Sequence, residues 1–167
     1  MSQKSRRYTL KAKESKQILT QATQKLKINL DTLFGAKADV EVVEGEFGEL
    51  LLVGGKPVMF KIGEAVLPTL VSTEIIAQLP KAVVDMGAVK FVCNGADVMA
   101  PGIVRYEGTF DKGDVVVVVD VKYGKPLALG EIMYSSNEAP AIKKGPMIKT
   151  KHYVSDKIWD FAKTLAE

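Results

Sequence analysis

The chain contains one cysteine, Cys93, and one histidine, His152, among its 167 residues. A structural zinc site usually takes four cysteine or histidine ligands, so these two residues cannot build one. Cys93 follows the apolar residues Val89, Phe91 and Val92, which favours a buried and unreactive thiol over a catalytic nucleophile. His152 lies in a predicted strand, where a lone histidine is more often a packed, hydrogen-bonded side chain than a catalytic base.

Two further patterns lack a feature that catalysis or nucleotide binding would need. The Gly-Gly-Lys motif at residues 54–56 is followed by Pro57 instead of serine or threonine, and proline removes an amide that a phosphate-binding loop would use. The motif is therefore predicted to be a hairpin turn. Paired carboxylates such as Glu44 and Glu46 lie in a turn context, without the burial that raises a carboxyl pKa. We therefore expect a protein that is not an enzyme and that uses no metal or cofactor.

Basic and acidic residues are unevenly distributed, although the net charge is only +3. Residues 1–27 contain eight basic residues and one acidic residue, whereas residues 28–80 contain three basic and eight acidic residues. Five lysines fall between residues 143 and 157. These charges either form ordinary solvated faces or make two basic patches for a polyanion and an acidic surface for another partner. The basic residues of the first segment are Lys4, Arg6, Arg7, Lys11, Lys13, Lys16, Lys25 and Lys27.

Composition and length indicate a folded protein of two small domains or one large one. Apolar residues make up 47% and charged residues 26% of the chain, as in ordinary globular proteins. An apolar run of about 18 residues, which a membrane-spanning helix needs, is absent from the sequence. The basic and polar start of the chain is unlike a secretory signal, so we expect a cytoplasmic protein.

Residues 1–80 are predicted to form a small α+β domain. The apolar residues after Lys13 recur at three-to-four spacing, which indicates an amphipathic helix. Two later apolar runs flank the Gly54-Gly55 pair, which indicates a hairpin. Predicted helices cover residues 13–27, 31–34 and 73–79, and predicted strands cover residues 8–12, 40–44, 49–53 and 57–62. Pro80 marks the predicted domain boundary.

Residues 81–167 are predicted to form a small β-barrel followed by a helix. Five consecutive valines, Val115–Val119, indicate a strand that is buried on both faces or that closes a barrel. Ser155 is expected to cap the final helix. The inward face of that helix is expected to carry Ile158, Phe161, Ala162 and Leu165. The other predicted strands cover residues 83–84, 88–92, 95–99, 126–134 and 147–154.

The stretch from Asp85 to Gly102 is the most informative part of the sequence. We expect a strand to end at Asn94 and Gly95 to allow a tight turn. Ala96 and Asp97 are then expected to begin a one-turn helix. Because Gly95 and Ala96 carry almost no side chain, their backbone is open to close approach by a sugar-phosphate group or a base.

This stretch resembles the PUA domain, an RNA-binding barrel. The resemblance covers about residues 80–160, in order and in spacing. The matching residues are Gly87, Gly95-Ala96-Asp97, Pro101-Gly102, the valine strand after Gly113-Asp114, and Gly130. The resemblance implies an α+β chain, with a small N-terminal α+β domain followed by a PUA-type β-barrel with a C-terminal helix.

A wider resemblance includes the N-terminal domain. His152-Tyr153, Asp156, Trp159 and Pro68-Thr69-Leu70 are similar to residues of the malignant T-cell-amplified sequence family and of the N-terminal part of ligatin. This resemblance spans nearly the whole chain and indicates an archaeal member. It implies a translation-associated protein that contacts tRNA or rRNA at the small ribosomal subunit. It also implies a separate initiation-factor-like protein as a partner.

In PUA domains, RNA lies along the one-turn helix and the last barrel strand. Carried over by position, the lysines of the last strand would contact phosphates, and the Gly95-Ala96 backbone would contact sugars or base edges. The candidate RNA-binding residues are Lys90, Asn94, Gly95, Ala96, Asp97, Met99, Arg105, Lys149 and Lys151. A helix cap is the alternative role for Asp97. Core packing is the alternative to base stacking for Tyr153 and Trp159, and strand alternation favours His152 inward.

Two other functions remain open from the sequence. In the first, the chain is a protein-docking adaptor that uses an acidic N-terminal surface, with the candidate residues Glu41, Glu44, Glu46 and Glu49. In the second, it is an RNA-modifying enzyme or an accessory subunit of an RNA-modification system, because PUA domains are often attached to such enzymes. The basic N-terminal segment is either a second RNA contact or a solvated helix face.

Overall fold

The computed structural model describes residues 6–166 and divides into two compact units. The N-terminal unit comprises the chain up to Ile75 together with the segment from Lys157 onward, and the barrel unit comprises Ile76–Asp156. Lys4, one of the predicted basic residues, lies outside the described residues. None of the helices in residues 6–166 has the length and apolar character needed to cross a membrane.

The first part of the chain holds β1 (Arg7–Thr9), α1 (Ala12–Leu26), α2 (Leu30–Phe34), β2 (Val40–Gly45), β3 (Gly48–Val53), β4 (Lys56–Ile62), β5 (Ala65–Pro68) and α3 (Thr73–Ile76). Its strands form an antiparallel five-stranded sheet with the order β1-β2-β3-β4-β5. Helix α1 buries Leu19, Ala22 and Leu26 and packs on β5. The α+β class predicted for this region is confirmed.

The hairpin predicted at Gly54-Gly55 is confirmed. Both glycines have positive φ, +60° and +79°, as the tight turn between β3 and β4 requires. Strand β5 was not predicted, because Pro68 was expected to begin a connection. Helix α3 ends at Ile76 instead of residue 79.

The elements of the barrel unit are β6 (Lys81–Val84), α4 (Val89–Val92), β7 (Val98–Met99), a 3-10 turn (Ala100–Gly102), β8 (Ile103–Glu107), β9 (Val115–Asp120), β10 (Pro126–Ile132), a second 3-10 turn (Ala139–Ala141) and β11 (Pro146–Tyr153). Its strands form a six-stranded sheet with the order β7-β11-β10-β9-β6-β8. Only the β6–β9 pair is parallel within this sheet.

The valine strand is buried on both faces, which was one of the two predictions for it. All five residues of Val115–Val119 are buried, and β9 pairs with β6 along one edge and with β10 along the other. Gly130 explains how the next strand pairs with β11. A Cβ there would lie 2.2 Å from the main-chain oxygen of Lys149, so only glycine fits at this position. The β10–β11 pairing has a register shift between Leu129 and Gly130.

Residues 88–92 differ from the predicted strand, because Val89–Val92 forms the one-turn helix α4. The Asp85 carboxylate accepts a hydrogen bond from the Ala88 N–H at 2.9 Å and starts this turn. Val92 is buried in the barrel core, so packing overrides the strand preference of valine. The helix therefore precedes Gly95, and Ala96-Asp97 does not begin one.

The C-terminal helix α5 (Lys157–Ala166) groups with the N-terminal unit, whereas the predicted second domain contained it. The ring of Phe161 packs edge-on against Phe47 with 6.0 Å between centroids, and α5 contacts β4. Ile158 and Ala162 are buried, as expected for the inward face. Ser155 has a φ of +76° and lies two residues before the helix, so it does not adopt the extended conformation typical of an N-cap.

Candidate nucleic-acid interface

The loop of residues 94–97 is attached to β11 by two hydrogen bonds. The main-chain N–H of Thr150 donates to Asp97 Oδ1 at 3.0 Å, and Thr150 Oγ1 donates to the Ala96 carbonyl at 2.9 Å. Asp97 thus supplies an acceptor for a main-chain N–H of β11 at a position where β7 does not pair with that strand. The carboxylate does not cap a helix, which was one predicted role.

Gly95 lies against the ring of Tyr153. Its φ is +87°, and an added Cβ would lie 2.8 Å from Tyr153 Cε1 and 3.0 Å from Cζ. Both the backbone conformation and the space therefore require glycine. Tyr153 is only partly buried, and it packs on the barrel core as well as on the loop, which favours the packing role over base stacking.

Phe91 is an exposed aromatic residue beside this loop. Its side chain is 58% exposed, and Lys90 Nζ lies 5.1 Å from its ring centroid, within cation–π range. The Ala96 N–H donates to the Phe91 carbonyl at 3.1 Å, which connects helix to loop. Phe91 was not predicted as a site residue. The sequence signal for it is helical spacing. A helical turn that places Val89, Val92 and Cys93 on its inward face places Phe91 on its outward face.

The lysines of β11 lie on the outer face of the same strand. Lys149 is exposed, and Lys151 is partly exposed with its Nζ 3.7 Å from Glu131 Oε1. An ion pair of this exposure contributes little to stability, so a phosphate could compete for the lysine. His152 is fully buried, as predicted, and its Nδ1 lies 2.8 Å from Asp156 Oδ2.

The structure brings most of the predicted site residues together, with one clear exception. Loop 94–97 is bonded to β11, and Met99 is 48% exposed on β7, the strand that pairs with β11. Asn94 is exposed at the end of α4. Arg105 instead lies on β8, where its Nε bonds to Glu107 at 3.1 Å. It lines a separate cleft of about 590 Å³ with Lys143.

The thiol of Cys93 lies beside the loop, two residues before Gly95. Burial raises the pKa of the Cys93 thiol, which the nearby Lys125 ammonium opposes. A raised pKa means less thiolate at neutral pH and a poorer nucleophile. Within residues 6–166, no three His, Cys, Asp or Glu side chains gather into a set that could hold a metal ion.

Both parts of the chain match known protein families. Residues 80–154 match the PUA domain, and residues 6–73 match a domain of unknown function, DUF1947. The crystal structure of a PUA domain from Aeropyrum pernix, a tartrate complex, superposes with a TM-score of 0.84 at 25% identity, and the match covers 98% of this chain and 95% of that one.

Two curated relatives cover nearly the whole chain. Translation machinery-associated protein 20 of Saccharomyces cerevisiae is 30% identical over 165 residues, which is 92% of this chain and 87% of the relative. The Malignant T-cell-amplified sequence 1 homolog of Drosophila melanogaster is 31% identical over 150 residues, which is 84% of this chain and 81% of the relative. The chain therefore belongs to the family of two-domain PUA proteins that includes these two relatives.

Proposed function

We propose that this protein is a non-catalytic, RNA-binding protein of the translation machinery, and that α4, loop 94–97 and β11 bind an unpaired RNA segment. The observation that carries the proposal is the largely exposed loop 94–97, with the exposed Phe91 ring on one side and the lysines of β11 nearby. Specific RNA recognition usually targets unpaired bases, which stack on aromatic rings and expose their edges. The similarity to translation machinery-associated protein 20 of Saccharomyces cerevisiae supplies the link to translation.

Each part of the surface has a different task in this proposal. Lys149 and Lys151 contact phosphates, and Lys90 adds a third positive charge beside the Phe91 ring. The Phe91 ring stacks on a base, and a sugar or base edge packs against the small residues Gly95 and Ala96. The hydrogen bonds between Thr150 and loop 94–97 hold these groups in place before RNA arrives. Preorganisation of this kind lowers the entropy cost of binding.

The first candidate for the RNA ligand is the 3′ end of tRNA, because it is single-stranded and has a free terminus. Single-stranded rRNA at the small ribosomal subunit is the second candidate. A separate initiation-factor-like protein would act with this chain there, in the cytoplasm. Each of these partners follows from the family resemblance and is part of the proposal.

The protein-docking alternative has less support from the described contacts. Glu41 accepts two hydrogen bonds from Arg7, at 2.6 and 3.0 Å, and Glu44 lies 3.7 Å from Arg6. Glu49 accepts from the Tyr8 hydroxyl at 3.3 Å. Three of the four acidic residues predicted to dock a partner are therefore engaged inside their own sheet. A partner would have to displace these contacts.

The test is RNA binding by the Lys149→Ala, Lys151→Ala double variant at several salt concentrations. We expect weaker binding and a salt slope lower by about 0.7–1 for each lysine–phosphate pair that the substitutions remove. The matched control is Lys37→Ala, Lys56→Ala, which removes two exposed lysines from the N-terminal unit. Equal affinity and equal slope for the double variant and the wild type would contradict the site.

A further inference from the structure

The hairpin between β9 and β10 carries a second exposed aromatic residue among lysines. Tyr123 is 71% exposed, more than any other large apolar side chain in the described residues. Lys122 Nζ lies 5.2 Å from its ring centroid, which repeats the arrangement of Lys90 on Phe91. Lys125 is also exposed at this tip. An exposed aromatic ring with two flanking cations has no evident role in folding this hairpin.

The tip is held rigid by one carboxylate. Asp120, which is buried, accepts hydrogen bonds from the main-chain N–H groups of Tyr123 and Lys125. The Gly124 N–H donates to the Asp120 carbonyl at 3.0 Å. The backbone under Tyr123 is therefore fixed, so a ligand that stacks on the ring would not have to order a mobile loop.

The hairpin lies next to the surface already described. The Val121 N–H donates to the Val84 carbonyl at 2.9 Å, and Val84 ends β6, the strand that leads into α4. Helix α4 contacts β10, and Lys125 lies near enough to Cys93 to act on its thiol. The two ring–lysine pairs thus belong to neighbouring elements of one unit.

We propose that the tip at residues 121–125 is a second RNA contact, in which Tyr123 stacks on an unpaired base and Lys122 and Lys125 bind the flanking phosphates. This inference rests on the proposed function and extends the RNA path beyond Phe91 to a second stacking position. The charge of the tip favours RNA over an acidic or apolar protein surface, because its one carboxylate is buried and already bonded to main-chain N–H groups. Aromatic stacking with basic flanks is the usual design of single-strand binding surfaces.

The experiment compares Tyr123→Ala, Tyr123→Phe and the wild type in titrations with single-stranded RNAs of about 4 and about 12 nucleotides. We expect Tyr123→Ala to weaken binding of the longer RNA about tenfold, with little effect on the shorter one. Tyr123→Phe keeps the ring and should bind like the wild type. An unchanged thermal midpoint in both variants shows that the fold is intact.

The lysines are tested by Lys122→Ala, Lys125→Ala beside the control Lys37→Ala, Lys56→Ala. We expect the first pair alone to weaken binding and reduce the salt slope. Long RNA bound equally by the wild type and Tyr123→Ala, with Phe91→Ala still weakened, would overturn the second contact and leave the proposed function in place. Failure of the wild type to bind any RNA would overturn both. RNA binding intact in every variant, Phe91→Ala included, would contradict both this inference and the stacking at Phe91.

Discussion

Gly95 and Tyr153 are so close that a single added methyl group at Gly95 would lie 2.8 Å from the tyrosine ring. The loop that carries Gly95 thus rests on a side chain of β11, the strand that also carries Lys149 and Lys151. Thr150 of the same strand binds the loop through two hydrogen bonds. Loop and strand therefore behave as one surface, and changes that separate them should reduce both stability and RNA binding.

Gly95→Ala should lower the free energy of unfolding by about 2 kcal/mol, because it adds steric overlap to an unfavourable φ. Gly113→Ala is the matched control. Gly113 has a φ of +92° with no atom within 4 Å of its added Cβ, so only the backbone cost of about 1 kcal/mol applies. Urea denaturation measures both. Equal losses of unfolding free energy for the two variants would contradict the close contact with Tyr153. In a Tyr153→Leu background, the difference between the two losses should become smaller.

Asp97→Ala should destabilise the barrel unit by about 1 kcal/mol, since it leaves the Thr150 N–H without its acceptor. Asp97→Asn keeps an acceptor oxygen and should lose less. Asp39→Ala, at an exposed aspartate of the N-terminal unit, controls for the loss of a negative charge. Chemical denaturation of the three variants measures their free energies of unfolding. An Asp97→Ala protein as stable as the wild type would show that the hydrogen bond to Thr150 does not contribute to stability.

Phe91→Ala should weaken RNA binding by about 1–3 kcal/mol, the usual contribution of one base stacked on an aromatic ring. The thermal midpoint should change little, because the side chain is 58% exposed. Ile62→Ala removes an exposed apolar side chain from the N-terminal unit and should leave RNA binding unchanged. If Phe91→Ala binds RNA with wild-type affinity, the base does not stack there.

Asp120 should make the barrel unit sensitive to acid. Hydrogen bonds from main-chain N–H groups, that of Tyr123 first, hold the pKa of this carboxyl below its usual value. Because its folded-state pKa is lowered, the ionised carboxylate stabilises the folded protein above the unfolded-state pKa of about 4. This stabilisation is lost as the pH falls through the folded-state pKa. Asp120→Asn should therefore be less stable than the wild type at pH 7, and the gap should shrink below about pH 4. Thermal unfolding across this pH range measures it. A gap that stays constant with pH would contradict the role of the ionised carboxylate.

Strong local signals predicted much of the fold. The valine strand, the Gly54-Gly55 hairpin and the first helix follow from composition, turn chemistry and periodicity within a short window. The strand predicted at α4 was wrong because its valines favour a strand, whereas burial of Val92 and the Asp85 hydrogen bond select a helical turn. Such tertiary effects are not visible in the local sequence.

The candidate site was predicted only in part, for similar reasons. Loop 94–97 and the β11 lysines follow from the family resemblance, and the structure joins them through Thr150. Phe91 was missed because its exposure depends on the helical turn. The exposure of Tyr123 depends on a hairpin whose conformation a buried carboxylate maintains. Arg105 was grouped with the site by position, but its strand β8 lies on the far side of β6.

Recognition of an unpaired RNA end is the property that we propose for this protein. It is measured by fluorescence anisotropy with intact tRNA and with tRNA that lacks its 3′ CCA, at several salt concentrations. We expect the truncated tRNA to bind about tenfold more weakly and Phe91→Ala to remove the difference between the two RNAs. Equal and steeply salt-dependent binding of both RNAs would mean attraction to phosphates alone and would contradict recognition of the 3′ end.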